Sequence, residues 1–132
     1  MLKRKGLVLV AVACAVMLGG CFLFQNRPPD AAFVVIYDVD PEDPMVVDLD
    51  ATSSSDPDGD AIVEYSWTFG DDVAILTPLD VSKRVETPIL RIRYPVEGTY
   101  NVSLLVRDAL GNPSEIVSGT VIVPNVPVGP TD

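Results

Sequence analysis

The chain contains no histidine and only two cysteines in 132 residues. The first absence removes Ser-His-Asp and Cys-His nucleophilic catalysis and any His-ligated zinc centre. Both cysteines, Cys14 and Cys21, lie near the N-terminus, so the rest of the chain has no thiol, no disulfide and no cysteine-based metal site. Its fold is held by a core without covalent staples. Cations are scarce too, with 9 Lys+Arg against 19 Asp+Glu and a formal net charge of −10. A surface of that sign repels polyanions, which argues against nucleic acid as a partner. Beyond residue 20 no stretch sustains a 3.6-residue apolar period, so helices are not expected.

The one long apolar run opens the chain. Lys3, Arg4 and Lys5 precede Leu7 to Leu18, and Leu18-Gly19-Gly20-Cys21 follows. A basic start, an apolar stretch of this length and small residues before a cleavage point form an export signal. The last four residues resemble the lipobox of bacterial lipoproteins. That resemblance implies cleavage before Cys21, a diacylglycerol thioether on its sulfur and an acyl chain such as palmitate on its new amino group. Several chains anchor stably where one holds only marginally, because each buried CH₂ contributes about 0.8 kcal/mol. Two other readings stay open: an uncleaved signal-anchor over Gly6 to Phe24, and an ordinary secreted protein. Cleavage would remove Lys3, Arg4 and Lys5 and leave six cations against 19 acids, a net −13. Residues 21–30 are then the lipidated cysteine and a tether, whose nine residues from Phe22 reach at most about 30 Å. Phe22, rather than Asp, follows Cys21, which favours the outer membrane in a Gram-negative cell.

The mature chain is built around Asp48 to Asp72. Asp56-Pro57-Asp58-Gly59-Asp60 is a tight-turn sequence: Pro presets φ, Gly accepts φ > 0 and Asp caps its own backbone. Tyr65, Trp67 and Phe69 follow at alternate positions and fall on one face of a strand. Ala31 to Tyr37 is an apolar, β-branched run and Glu115 to Val123 a Thr- and Val-rich strand, while period-2 patterning recurs in Met45 to Ala51, Leu90 to Tyr94 and Thr99 to Arg107, with a short edge strand at Val73 to Leu76. Lys83-Arg84 suits an exposed edge, and residues 124–132 form a Pro-rich tail. Six or seven short strands with frequent turn signals predict an all-β, immunoglobulin-like antiparallel β-sandwich over residues 31–123.

Three motifs sharpen that expectation. Leu49 to Asp60, Tyr65-Ser66-Trp67-Thr68-Phe69-Gly70-Asp71, and Gly98 to Asp108 with its Tyr100, Val102, Leu104 and Val106, occur in the order in which the PKD (polycystic kidney disease) domain carries similar motifs. The resemblance spans nearly the whole domain. It implies a sandwich of extracellular proteins that serves as spacer, adhesion module or enzyme accessory, sometimes touching protein or polysaccharide, and it implies no catalysis. Some bacterial members bind calcium. Thr68 and Asp72 depart from the family pattern, which usually has Asp and Gly there.

Calcium is the sharpest site expectation. Asp56, Asp58 and Asp60 set three hard carboxylates in one turn. The same turn reads more simply as an Asp-capped structural loop whose side chains bond backbone N–H groups and solvent, and that reading is preferred. Asp71 and Asp72 would join only if their loop folded back. Trp67, with Tyr65 and Phe69, is read as core rather than as a sugar-stacking platform, and Tyr100 as a corner or core residue. Arg91 and Arg93 are read as an outward face balancing nearby acids. Two functions follow from different classes: a non-catalytic interaction or structural module anchored at the bacterial envelope, and a carbohydrate-binding accessory module.

Overall fold

The computed structural model describes residues 26–78 and 84–126. The signal segment, Cys21 and the tail beyond residue 126 lie outside them. Among the described residues eight strands follow one another: β1 (Val34–Ile36), β2 (Val46–Asp50), β3 (Ile62–Thr68), β4 (Ala74–Thr77), β5 (Arg84–Val85), β6 (Ile89–Arg93), β7 (Gly98–Asp108) and β8 (Val117–Val123). They form two four-stranded sheets, ordered β1-β2-β6-β4 and β5-β3-β7-β8. Every pairing is antiparallel. The described residues contain no helix, so the molecule is the all-β sandwich expected from the sequence.

Alternation builds the core. Val47 and Leu49 of β2, Leu90 and Ile92 of β6, Tyr65 and Trp67 of β3, and Val102, Leu104 and Val106 of β7 are buried between the sheets. The intervening residues face outward, where cross-strand neighbours pair by charge: β2 and β6 register Asp48 opposite Arg91. There the Arg91 Nε donates to Asp48 Oδ1 at 2.7 Å and its Nη2 to Oδ2 at 2.9 Å. Arg93 Nε donates to Asp43 at 2.6 Å. The two arginines therefore balance acids on the outer face of the first sheet. Phe33, just ahead of β1, closes the open side of the sandwich. Its ring meets Trp67 edge-on, with centroids 5.3 Å apart and planes at 82°. Glycine at 119 permits that approach, since a Cβ there would lie 2.9 Å from Phe33 Cζ.

Two elements differ from the sequence expectation. β1 occupies only Val34–Ile36 of the apolar run from Ala31; ahead of it Asp30 bridges Ser55, and Ala32 donates its N–H to the Ser54 hydroxyl at 3.0 Å and accepts from it at 2.9 Å. Arg84–Val85 is an additional strand on the second sheet, registered to Ser66 and Tyr65. Two residues carry no readable periodicity, so only the edge character of that region was visible.

The strand directions place the termini of the domain apart. The start of β3 lies beside the end of β7, with Ile62 opposite Asp108. The last residue of β8, Val123, lies opposite Gly98, at the other end of β7. The 11-residue β7 is about 33 Å long. The chain thus enters at the end carrying the β2–β3 and β7–β8 loops and leaves at the opposite one.

Candidate functional site: an acidic loop cluster at the entry end

The β2–β3 loop is shaped by Asp56. Its Oδ1 accepts from the Asp58 backbone N–H at 2.8 Å and from that of Asp60 at 3.4 Å. The Asp56 carbonyl accepts from Gly59 N–H at 3.0 Å. Gly59 has φ +80°, a left-handed geometry that glycine adopts without a Cβ penalty. The other oxygen of Asp56, Oδ2, is shut off from solvent and has no hydrogen-bond partner.

The neighbouring β7–β8 loop is wrapped around Asp108, which is fully buried. Oδ1 of Asp108 accepts from the backbone N–H groups of Leu110 at 3.0 Å and Asn112 at 2.9 Å. Its Oδ2 accepts from the side-chain amides of Asn26 at 3.1 Å and Asn112 at 3.2 Å. Burial by itself would raise the pKa of this carboxyl, but the Asn112 and Leu110 N–H groups and the two amides outweigh it and hold the value below the ordinary one.

Register then brings the loops together. One carboxylate oxygen each from Asp56, Asp60 and Asp108 lie within 4.8 Å of one another. Desolvation, followed by the charges of Asp56, Asp108 and Asp58, pushes the Asp60 pKa up. Mutual repulsion of this kind is what a divalent cation relieves, and carboxylate oxygen is the ligand that Ca²⁺ prefers.

The trio differs from the one expected from the sequence. Asp58, grouped there with Asp56 and Asp60, is engaged elsewhere. Arg27 donates its backbone N–H to Asp58 Oδ2 at 2.5 Å, and Nε and Nη2 to Oδ1 at 2.9 and 2.8 Å. Nη2 also reaches the Pro57 carbonyl at 2.9 Å. These bonds from the Arg27 backbone and guanidinium lower the Asp58 pKa. Asp108 takes its place, 48 residues from Asp60 in sequence. The only sequence signal for it was its position closing the β7 motif. Asp71 and Asp72 follow β3 at the opposite end of the sandwich and do not join.

The aromatic residues lie away from this cluster. Trp67 and Phe69 are each 2% exposed and Tyr65 is buried beside them. Tyr100 is half-buried, stacks on Tyr94 with centroids 4.1 Å apart, and donates its hydroxyl to the Val96 carbonyl at 2.5 Å. A tyrosine at the start of a strand that bonds backbone a few residues upstream is the tyrosine corner of immunoglobulin-like sandwiches.

A family model for the PKD domain matches residues 26–123. The chain belongs to the PKD domain family. Among solved structures it is similar to the PKD1 domain of Vibrio anguillarum Epp, at 25% identity and a TM-score of 0.55, over 75% of this chain and 96% of that one. The PKD1 domain of the Vibrio cholerae metalloprotease PrtV is similar at 26% identity and a TM-score of 0.52, covering 74% and 98%. A third relative, from work on the promiscuous specificity of carbohydrate-binding modules of the β-sandwich superfamily, is 32% identical with a TM-score of 0.55. The match takes in 74% of this PKD chain but only 35% of that protein. No functionally curated protein matches the chain.

Proposed function

We propose that this PKD-domain chain is a lipid-anchored spacer and interaction module of the bacterial envelope, without catalysis of its own. The observation that carries the reading is the path of the chain. It enters beside Asp108 and leaves beside Gly98, at opposite ends of β7. Such a module holds the segment before residue 26 and the segment after residue 123 apart by its full length. Anchoring rests on Leu18-Gly19-Gly20-Cys21, whose small residues admit a peptidase and whose thiol accepts the lipid. An outer-membrane site follows from Phe22 where the organism is Gram-negative. The partner class is protein or polysaccharide. A sugar-binding role would require an exposed aromatic platform, and Trp67, at 2% exposure, does not supply one.

Calcium is the cofactor that fits. Asp56, Asp60 and Asp108 would hold it, and the solvent-excluded, partnerless Asp56 Oδ2 supports that fit. Bound there, the ion would neutralise carboxylates and tie the β2–β3 loop to the β7–β8 loop.

Fractionation of cells expressing the full chain tests the anchor. The wild type is expected in the membrane fraction with an acylated N-terminal peptide beginning at Cys21, and Cys21→Ser in soluble or unprocessed form. A free thiol at Cys21 in the mature protein refutes anchoring. Crosslinking on intact cells reads the partner class, and hydrolysis of a surface polysaccharide by the purified domain refutes the non-catalytic assignment. A thermal melt in Ca²⁺ and in EDTA tests the metal; coincident curves refute it.

A further inference from the structure

We propose that the entry end of the sandwich, formed by the β2–β3 and β7–β8 loops, is a membrane-facing surface, held against a phospholipid bilayer by a clasp that Asn26 and Arg27 make with Asp108 and Asp58. The proposal rests on lipidation of Cys21 and goes beyond it, because an anchor alone leaves orientation free. In a tether from Cys21 to Asp30 without contacts, nine residue steps allow about 30 Å of reach, nearly the length of the domain itself. Such a leash lets either end of the sandwich meet the bilayer.

The contacts shorten that leash. Arg27 is bonded to the β2–β3 loop four times, through its backbone N–H, its Nε and twice through Nη2. Asn26 donates to the buried Asp108 at 3.1 Å. Asn26 is thereby fixed to this end only five residues from Cys21, and no path of the intervening chain separates the two by more than about 18 Å. Asn26 sits on the two loops, so the acyl chains and these loops are kept on the same side of the domain. The Val96 end, about 33 Å away along β7, cannot take their place while the clasp is closed.

The surface so presented suits a headgroup layer. Leu110, at the tip of the β7–β8 loop, is 67% exposed and offers an apolar side chain to the interface. The charge of Asp58 is met by Arg27, and that of Asp108 is enclosed by amide donors. A zwitterionic bilayer is the matching partner, since the chain as a whole is strongly acidic.

The test uses the full lipidated chain in phosphatidylcholine vesicles carrying a headgroup quencher. The mature domain has no thiol besides Cys21, so Leu110→Cys and Val96→Cys, both at exposed positions, each accept one fluorophore. Quenching at position 110 is expected to exceed that at position 96 by at least about threefold, given the length of β7. In Arg27→Ala, and separately in Asp58→Ala, the ratio is expected to fall towards unity. Both substitutions are on the surface, and an unchanged circular dichroism melt shows that the domain still folds. Vesicle flotation separates the two claims. Protein that floats with equal quenching at both ends, or with a ratio insensitive to Arg27→Ala, overturns the clasp and leaves anchoring intact. Protein that does not float overturns both.

Discussion

Tyr94 and Tyr100 stack on one another, yet their hydroxyls have opposite fates, and removing each should move stability in opposite directions. The Tyr94 hydroxyl is fully buried with no hydrogen-bond partner. Desolvation, with smaller contributions from Tyr100 and Tyr37, pushes its pKa up to about 12. A buried hydroxyl that gives up water without gaining a partner costs about 1–3 kcal/mol. Tyr94→Phe deletes that oxygen and keeps the ring on Tyr100. Lost dispersion and a small void offset part of the gain, so a net stabilisation of about 1 kcal/mol is expected. For a domain of this size that corresponds to a rise in Tm of about 4–8 °C. Tyr100→Phe removes the bond to the Val96 carbonyl and should lose about 0.5–1.5 kcal/mol. The two rings are in contact, so the double variant is expected to depart from the sum by a coupling of about 0.5 kcal/mol or more. Urea unfolding of the three variants reads all of this, with unchanged m-values as the check on a common unfolded state. Because the Tyr94 hydroxyl is neutral throughout, its gain should be the same from about pH 6 to pH 9. A Tyr94→Phe variant less stable than the wild type by more than about 0.5 kcal/mol would refute the reasoning, since it would mean that the hydroxyl is satisfied.

Three further expectations rest on the same geometry. Gly119→Ala places a Cβ 2.9 Å from Phe33 Cζ and should cost about 1–3 kcal/mol; Trp67 emission should shift as its edge-on neighbour moves, and an unshifted spectrum would count against it. Asp108 has a lowered folded pKa, so the stability it contributes is complete above its unfolded value of about 3.9 and is lost as pH falls through the folded one. The acid limb of the Tm–pH curve should therefore be shallower in Asp108→Asn, and parallel curves would contradict the enclosed carboxylate. Asp60 has a raised folded pKa, so its contribution declines as pH rises through that value. Asp60→Asn should raise the Tm at pH 7 in EDTA and remove any gain from Ca²⁺; an equal calcium gain in both proteins would place the ion elsewhere.

Much of the fold was legible because it is written at short range. Alternation in Met45 to Ala51 and Thr99 to Arg107 assigned β2 and β7, and the turn residues from Asp56 to Asp60 separated β2 from β3. The run Tyr65, Trp67, Phe69 has a period of two, and all three side chains are buried. Short pairings such as Arg84–Val85 were not legible, because two residues define no period.

The candidate site shows where sequence stops. Proximity in the chain grouped Asp58 with Asp56 and Asp60, but neighbours within a turn need not share a direction. Arg27 takes Asp58, and Asp108 enters because β7 lies beside β3 with Asp108 opposite Ile62. The sequence by itself determined the strand pattern, the turn chemistry and the family, all of which depend on residue type and spacing within about ten positions. Only the tertiary structure decided which acids converge, which end of the sandwich receives the tether, and which hydroxyl is left without a partner. Those depend on strand register and packing across 31 to 82 residues of chain, and no local pattern encodes them.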